Sequence, residues 1–197
     1  MPTIVDHDRR RLEIAAAVGR LVAAGGVQSV TIRATAKEAG FSPAVIGHYF
    51  ENKEDLLTFS YLSARSRTSM RVERALLAGK SVFQCIKECL PTDMNRRADW
   101  LVWFGHWGMN TDKEAHTQER RQGLEDSASL FERVLKAAQN RGELPERLNT
   151  ASLAIRLMIF VDGIACIAVQ APDEWPAKRQ ESALKTEIDA LMAAAQG

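Results

Sequence analysis

The stretch TIRATAKEAGFSPAVIGHYFENK, Thr31 to Lys53, decides the fold. It reads as two short helices with a sharp turn between them. Thr31 is placed to cap the first, whose apolar stripe is Ile32, Ala36 and Ala39. Gly40 ends that helix, because the left-handed backbone expected there would make a side chain clash. Ser42 caps the second helix, and Pro43 falls in its first turn, where a missing N–H costs nothing. Two helices joined by a short Gly turn match the helix-turn-helix motif. In the second helix Val45, Ile46, Tyr49 and Phe50 share the inward side, leaving Pro43, Ala44, Gly47 and His48 outward. A merely solvated face would favour Lys and Glu. Small residues suit a helix pressed into a DNA major groove, where bulk would keep its N-terminal residues from the base edges. Phosphates are expected at the N–H groups of helix starts and at Thr31, Arg33, Ser42 and Lys53. Lys53 follows the cap Asn52, so a cation sits at the positive end of a helix. A nearby phosphate would reverse that sign; the plainer alternative is a solvated lysine, with Glu54 and Asp55 answering the dipole.

These residues carry a resemblance. GFSPAVIGHYFENKEDLL, Gly40 to Leu57, resembles the signature of the TetR family of transcriptional regulators. That pattern has Gly, an apolar residue and Ser, then an apolar–aromatic segment ending in Tyr-Phe, then Lys-Glu and Leu. The match covers about the first quarter of the chain. Many members carry Tyr at the position of Gly47, where it touches DNA. The choline-responsive repressors of betaine synthesis, the subgroup this chain resembles more closely, have a small residue there. The resemblance implies that His48 and Tyr49 take up DNA contacts. It further implies a helix-turn-helix domain at residues 1–53 and a helical ligand-binding and dimerisation domain at 54–197.

The remaining chain reads as helix, giving an all-α fold of about nine helices. Asp6 to Ala24 is the first, with Ile14, Val18, Leu21 and Val22 at helical spacing and Gly25-Gly26 to end it. Its run Arg9-Arg10-Arg11 could reach the DNA backbone or simply be solvated. A fourth helix spans Lys53 to about Leu77, and Gly79 breaks the pattern. Ser81 opens a fifth that continues to Pro91. The sixth, Asn95 to Asn110, holds three of the four tryptophans: Trp100, Trp103, Phe104 and Trp107 lie at i, i+3, i+4 and i+7. Aromatics at this spacing ordinarily pack a core. The sharper reading is an aromatic pocket for a cationic or aromatic small molecule, since each Trp face attracts a cation by about 0.5–2 kcal/mol. Asp99, His106 and Asp162 are its candidate polar partners. A seventh helix runs from Asp112 or Lys113 to Asn140, and Asn149 caps an apolar eighth. Within the eighth, Gly163 suggests close helix approach. The last, Lys178 to Ala195, has a seam of Leu184, Ile188, Leu191 and Met192. TetR-like proteins pair these last two helices between copies, which implies a homodimer here.

Composition sets the outer bounds. Apolar residues make up 46% and charged residues 26% of 197, enough to bury a real core. Net charge is +1, but residues 1–77 carry eleven Lys/Arg against eight Asp/Glu, and the remainder fifteen against seventeen. That asymmetry agrees with nucleic acid at the N-terminal end. Cys85, Cys89 and Cys166 are too few and too ill-spaced for a disulfide scaffold or a zinc cluster. Ala151 to Val169 is long enough to span a bilayer, yet Arg156 and Asp162 would be costly there, so a buried helix in a reduced cytoplasmic protein is expected. No phosphate loop, metal-spaced His/Cys set or nucleophile motif marks an enzyme or a cofactor. The leading expectation is a dimeric repressor on a pseudo-palindromic operator, released by a small-molecule effector. A redox or metal sensor using Cys85 and Cys89, with His106 or His116, is the alternative. An acid–base pair of Asp162 and His106 is a third.

Overall fold

The computed structural model describes residues 4–108 and 114–194, all helix, turn or loop. Nine α-helices lie among them: α1 (Ile4–Gly25), α2 (Ile32–Ala39), α3 (Pro43–Tyr49), α4 (Lys53–Leu77), α5 (Val82–Ile86), α6 (Met94–Trp107), α7 (Glu114–Asn140), α8 (Thr150–Gln170) and α9 (Ala177–Ala194). The ends expected at Asn110, at Asp112 or Lys113, and at Ala195 lie outside the described residues. Helix five is shorter than expected. It gives way after Ile86 to a 3-10 turn, Lys87–Cys89, because the backbone ahead of Pro91 is pushed away from the α region. Its start carries a full capping box, Ser81 with Gln84.

Two compact units result. The first runs to Arg67 and takes in α6; the second holds Thr68–Asp93 with α7, α8 and α9. The division expected at residues 53 and 54 would have put α4 and α6 in the second domain; α6 and the first part of α4 instead fall in the first unit. In that unit Ile14, Val18, Ile46, Phe50, Leu56 and Val102 close one core, and Val102 is the contribution of α6. Small residues let α6 come close: Gly19 of α1 faces Ala98, and Gly105 lies against Val27 of the 3-10 turn Val27–Ser29. The sequence signal that could have placed α6 there was these glycines and alanines, not the tryptophans between them. Arg20 Nε, on α1, donates to Glu38 Oε1 at 2.5 Å, tying α1 to α2.

In the second unit α8 packs on α7 and on α9. Leu184, Ile188 and Leu191 of α9 are buried within the chain, as the seam required. On α8, Ala154, Leu157, Val161, Ile164 and Ala165 are buried, while Ile155, Ile159 and Ile167 remain 43%, 64% and 44% exposed. The helix is thus long and apolar enough to cross a membrane by length and composition, yet one side of it is a packed core face. A β-carbon at Gly163 would meet nothing within 4 Å, so no neighbour inside the described chain needs that glycine.

Candidate nucleic-acid interface

The turn between α2 and α3 is built from local chemistry. Thr31 Oγ1 accepts from the Ala34 N–H at 3.0 Å, satisfying one of the orphan donors of the helix start. Gly40 takes up φ 73°, ψ 26°, and the Phe41 N–H returns to the Ala36 carbonyl at 2.9 Å. Ser42 Oγ accepts from the Val45 N–H at 3.3 Å, with Pro43 in the first turn of α3. Ile46 and Phe50 are buried and Val45 and Tyr49 half-buried, while Ser42, Pro43, Ala44, Gly47 and His48 are exposed. Thr31 and Arg33 are exposed as well. A β-carbon at Gly47 would meet nothing within 4 Å, so its small size is not demanded by packing. The surface of α3 is therefore narrow, uncharged and open, as a groove-reading helix requires.

Lys53 has a more specific place than either sequence reading gave it. Asn52 Oδ1 accepts from the Asp55 N–H at 2.9 Å and caps α4, while Asp55 Oδ2 accepts from the Glu51 N–H at 3.1 Å. Lys53 is half-buried, and its Nζ donates to the Val27 carbonyl at 3.2 Å. That bond secures the cation at the positive end of α4 through one of its three donors. The basic run of α1 divides. Arg9 pairs with Glu13 at 3.8 Å, whereas the Arg11 guanidinium lies 4.1 Å from the Phe59 ring centre and 5.2 Å from that of Phe50. Arg11 is a cation–π packing residue.

The aromatic stripe of α6 is continuous. Trp100 is 4.7 Å from Trp103 and 5.5 Å from Phe104, and Trp107 is 6.2 Å from Trp103 and 5.6 Å from Phe104. Trp100 is buried; Trp103, Phe104 and Trp107 are half-buried, and Trp103 and Trp107 pack against the core of the first unit. Their proposed polar partners are used elsewhere. Arg67 Nε donates to Asp99 Oδ1 at 3.1 Å, pairing a buried carboxylate, and His106 stacks on Tyr61 with ring centres 4.0 Å apart and planes 9° apart. Asp162 belongs to the second unit and the stripe to the first.

Asp162 lies on α8, half-buried, and burial pushes its carboxyl from 3.8 up to about 6. Between roughly pH 4 and pH 6 the folded chain then holds a proton that the unfolded chain has released. Stability accordingly falls as pH rises through that window, and above it the charged carboxylate costs about 1–3 kcal/mol. Asp162→Asn is expected to melt higher than the parent at pH 7.5, with the two converging toward pH 4. Melting curves that run parallel over this range would show the carboxyl to be freely solvated.

The sensor alternative gains no support from the cysteines. Cys85 and Cys89 are buried, the Cys85 Sγ–H points to the Lys80 carbonyl at 3.6 Å, and burial pushes its thiol up, against thiolate chemistry. Among the described residues no three His, Cys, Asp or Glu side chains gather to hold a metal ion. His106 and Asp162 fall in different units, and the side chain of His116 is outside the described set.

Comparison with known proteins agrees with this geometry. Residues 14–58 match the family model described as bacterial regulatory proteins, tetR family. Residues 80–193 match the one described as BetI-type transcriptional repressor, C-terminal. A curated relative, the HTH-type transcriptional regulator PksA of Bacillus subtilis (strain 168), is 29% identical over 177 residues, covering 87% of this chain and 84% of its own. A transcriptional regulator from Rhodococcus sp. Rha1 superposes with TM-score 0.78 at 24% identity, over 95% of this chain and 98% of the other. A Saccharomonospora viridis structure in complex with choline superposes with TM-score 0.74 at 22% identity, over 92% and 96%. At such identities the likeness of the solved structures is one of fold.

Proposed function

Since the chain belongs to the TetR family of transcriptional regulators, with a BetI-type repressor C-terminal domain, we propose that it represses transcription as an effector-released homodimer. Two copies of α3 read the half-sites of a pseudo-palindromic operator, set one or more helical turns apart. The observation that carries this is the exposed face Pro43, Ala44, Gly47 and His48, set on a helix anchored by buried Ile46 and Phe50. Thr31, Arg33, Ser42 and Lys53 serve the phosphates, and His48 and Tyr49 the groove. The dimer contact is the open side of α8, where exposed Ile155 and Ile159 lie in line with Gly163, together with α9. Apolar area of this kind is what a second copy buries.

The effector is proposed to be a small cation or aromatic compound held by Trp100, Trp103, Phe104 and Trp107. The choline complex of the Saccharomonospora viridis protein favours a quaternary ammonium compound, which tryptophan faces attract. Release requires that the effector bind the free state more tightly than the DNA-bound one.

The test begins with selection of duplexes from a random library by the wild-type protein, followed by fluorescence anisotropy on the most enriched sequence. Enrichment of an inverted repeat is expected. Lys53→Ala should weaken all duplexes alike and lower the slope of log K against log salt by about one. His48→Ala should instead change base preference. Equal effects of both variants on every duplex would contradict the assignment, and failure to enrich any sequence at low salt would end the proposal.

A further inference from the structure

Tyr49 is the larger of the two rings that α3 offers near its exposed face, and its position is not set by α3 alone. Its ring packs inward on the core of the first unit. Outward it meets two imidazoles. His48, its neighbour in sequence, lies 5.2 Å away centre to centre at 79°, and His7 of α1 lies closer, at 4.5 Å and 52°. The two imidazoles are 6.3 Å apart at 74°, so the three rings form one cluster at the C-terminal end of α3. Both histidines are exposed and Tyr49 is half-buried. His7 is therefore not a core residue that happens to lie nearby. Its other near charge is the Asp8 carboxylate on the same helix, 3.9 Å from Nδ1.

Within α3 the Tyr49 ring is met by His48, and from outside the helix it is met by His7. A tyrosine free to swing on a DNA-facing surface would lose rotamer freedom on binding, and that loss would be subtracted from affinity. Edge-to-face and tilted contacts favour a fixed ring orientation.

We infer that His7 is a positioning residue for operator recognition: its imidazole holds the Tyr49 ring in the orientation in which it meets DNA. The inference rests on the reading of α3 as the DNA-contacting helix, and it adds α1 to the surface that determines affinity. His7 acts through Tyr49, without a DNA contact of its own.

The experiment uses the full-length protein and a fluorescein-labelled duplex of the sequence most enriched by the wild type, with a scrambled duplex as control. His7→Ala is expected to weaken the selected duplex about three- to tenfold, the size of one aromatic contact, to leave the scrambled duplex unchanged, and to lower the melting temperature by no more than about 2–4 °C. His7→Phe, which keeps a ring and loses the ring nitrogens, should recover wild-type affinity. In a Tyr49→Ala background, His7→Ala should have no further effect. Wild-type affinity of His7→Ala, absence of rescue by Phe, or a loss that persists without Tyr49 would each overturn the inference. If the wild type enriches no sequence at all, the DNA-reading role itself fails, a result distinct from any of these.

Discussion

Gly47→Glu is expected to lose operator affinity by on the order of a hundredfold or more, with its fold intact. The glycine lies within α3, on the exposed side, with nothing within 4 Å of the place a β-carbon would take. Packing therefore gives no reason to keep it, and a helix interior disfavours it by about 1 kcal/mol against alanine. Gly47→Ala should raise stability by about that amount, about 2–4 °C in melting temperature for a chain of this size. Glutamate would fit the same empty space, but in the complex its carboxylate would face the phosphate-lined groove. Like charges set against each other at an interface cost several kcal/mol. Gly47→Ala raising stability while Gly47→Glu loses binding with its fold intact is a combination that a purely structural role for the glycine does not allow. Circular-dichroism melts and anisotropy on the selected duplex measure both quantities. A Gly47→Glu protein that binds like the wild type would show that this face does not approach DNA.

The second large effect belongs to Gly105. A β-carbon there would overlap Val27 Cγ2 and come within 3.4 Å of Val27 Cβ. Valine is stiff at χ1, so it can turn away only by disturbing its own packing. Overfilling of this kind costs about 1–3 kcal/mol. The consequence reaches further than stability, because the Val27 carbonyl is the acceptor that holds Lys53 Nζ. Gly105→Ala is expected to lower the melting temperature by several degrees and to weaken binding to all duplexes. Val27→Ala removes the overlapping methyl groups, so the double variant should be more stable than Gly105→Ala alone. Denaturant unfolding of the four proteins gives the coupling directly. Simple additivity of the two substitutions would mean that the helix and the turn do not press on each other.

What could be read from the sequence was what local chemistry decides. The caps at Thr31, Ser42, Asn52 and Asn149 each need one side-chain oxygen and one N–H three residues on, and all four form. The inward and outward sides of α3 followed from helical spacing alone. Contacts between segments far apart in sequence were not legible. Nothing in the run Arg9-Arg10-Arg11 reveals that Arg11 turns onto Phe59, and nothing around Lys53 names the Val27 carbonyl. The same holds for His7 against Tyr49. The α6 stripe shows the limit most clearly. Spacing reported a continuous aromatic face correctly, but which unit it packs in depended on Gly19 and Gly105 meeting partners elsewhere.

α3 is the element proposed to enter the groove. Backbone amide spectra of the isotopically labelled protein, recorded with the selected duplex and with the scrambled one, test that most directly. The expected result is that shifts specific to the selected duplex concentrate at Ser42–Tyr49, with smaller ones at Thr31, Arg33 and Lys53. Specific shifts confined to other helices, with the amides of α3 unmoved, would contradict it.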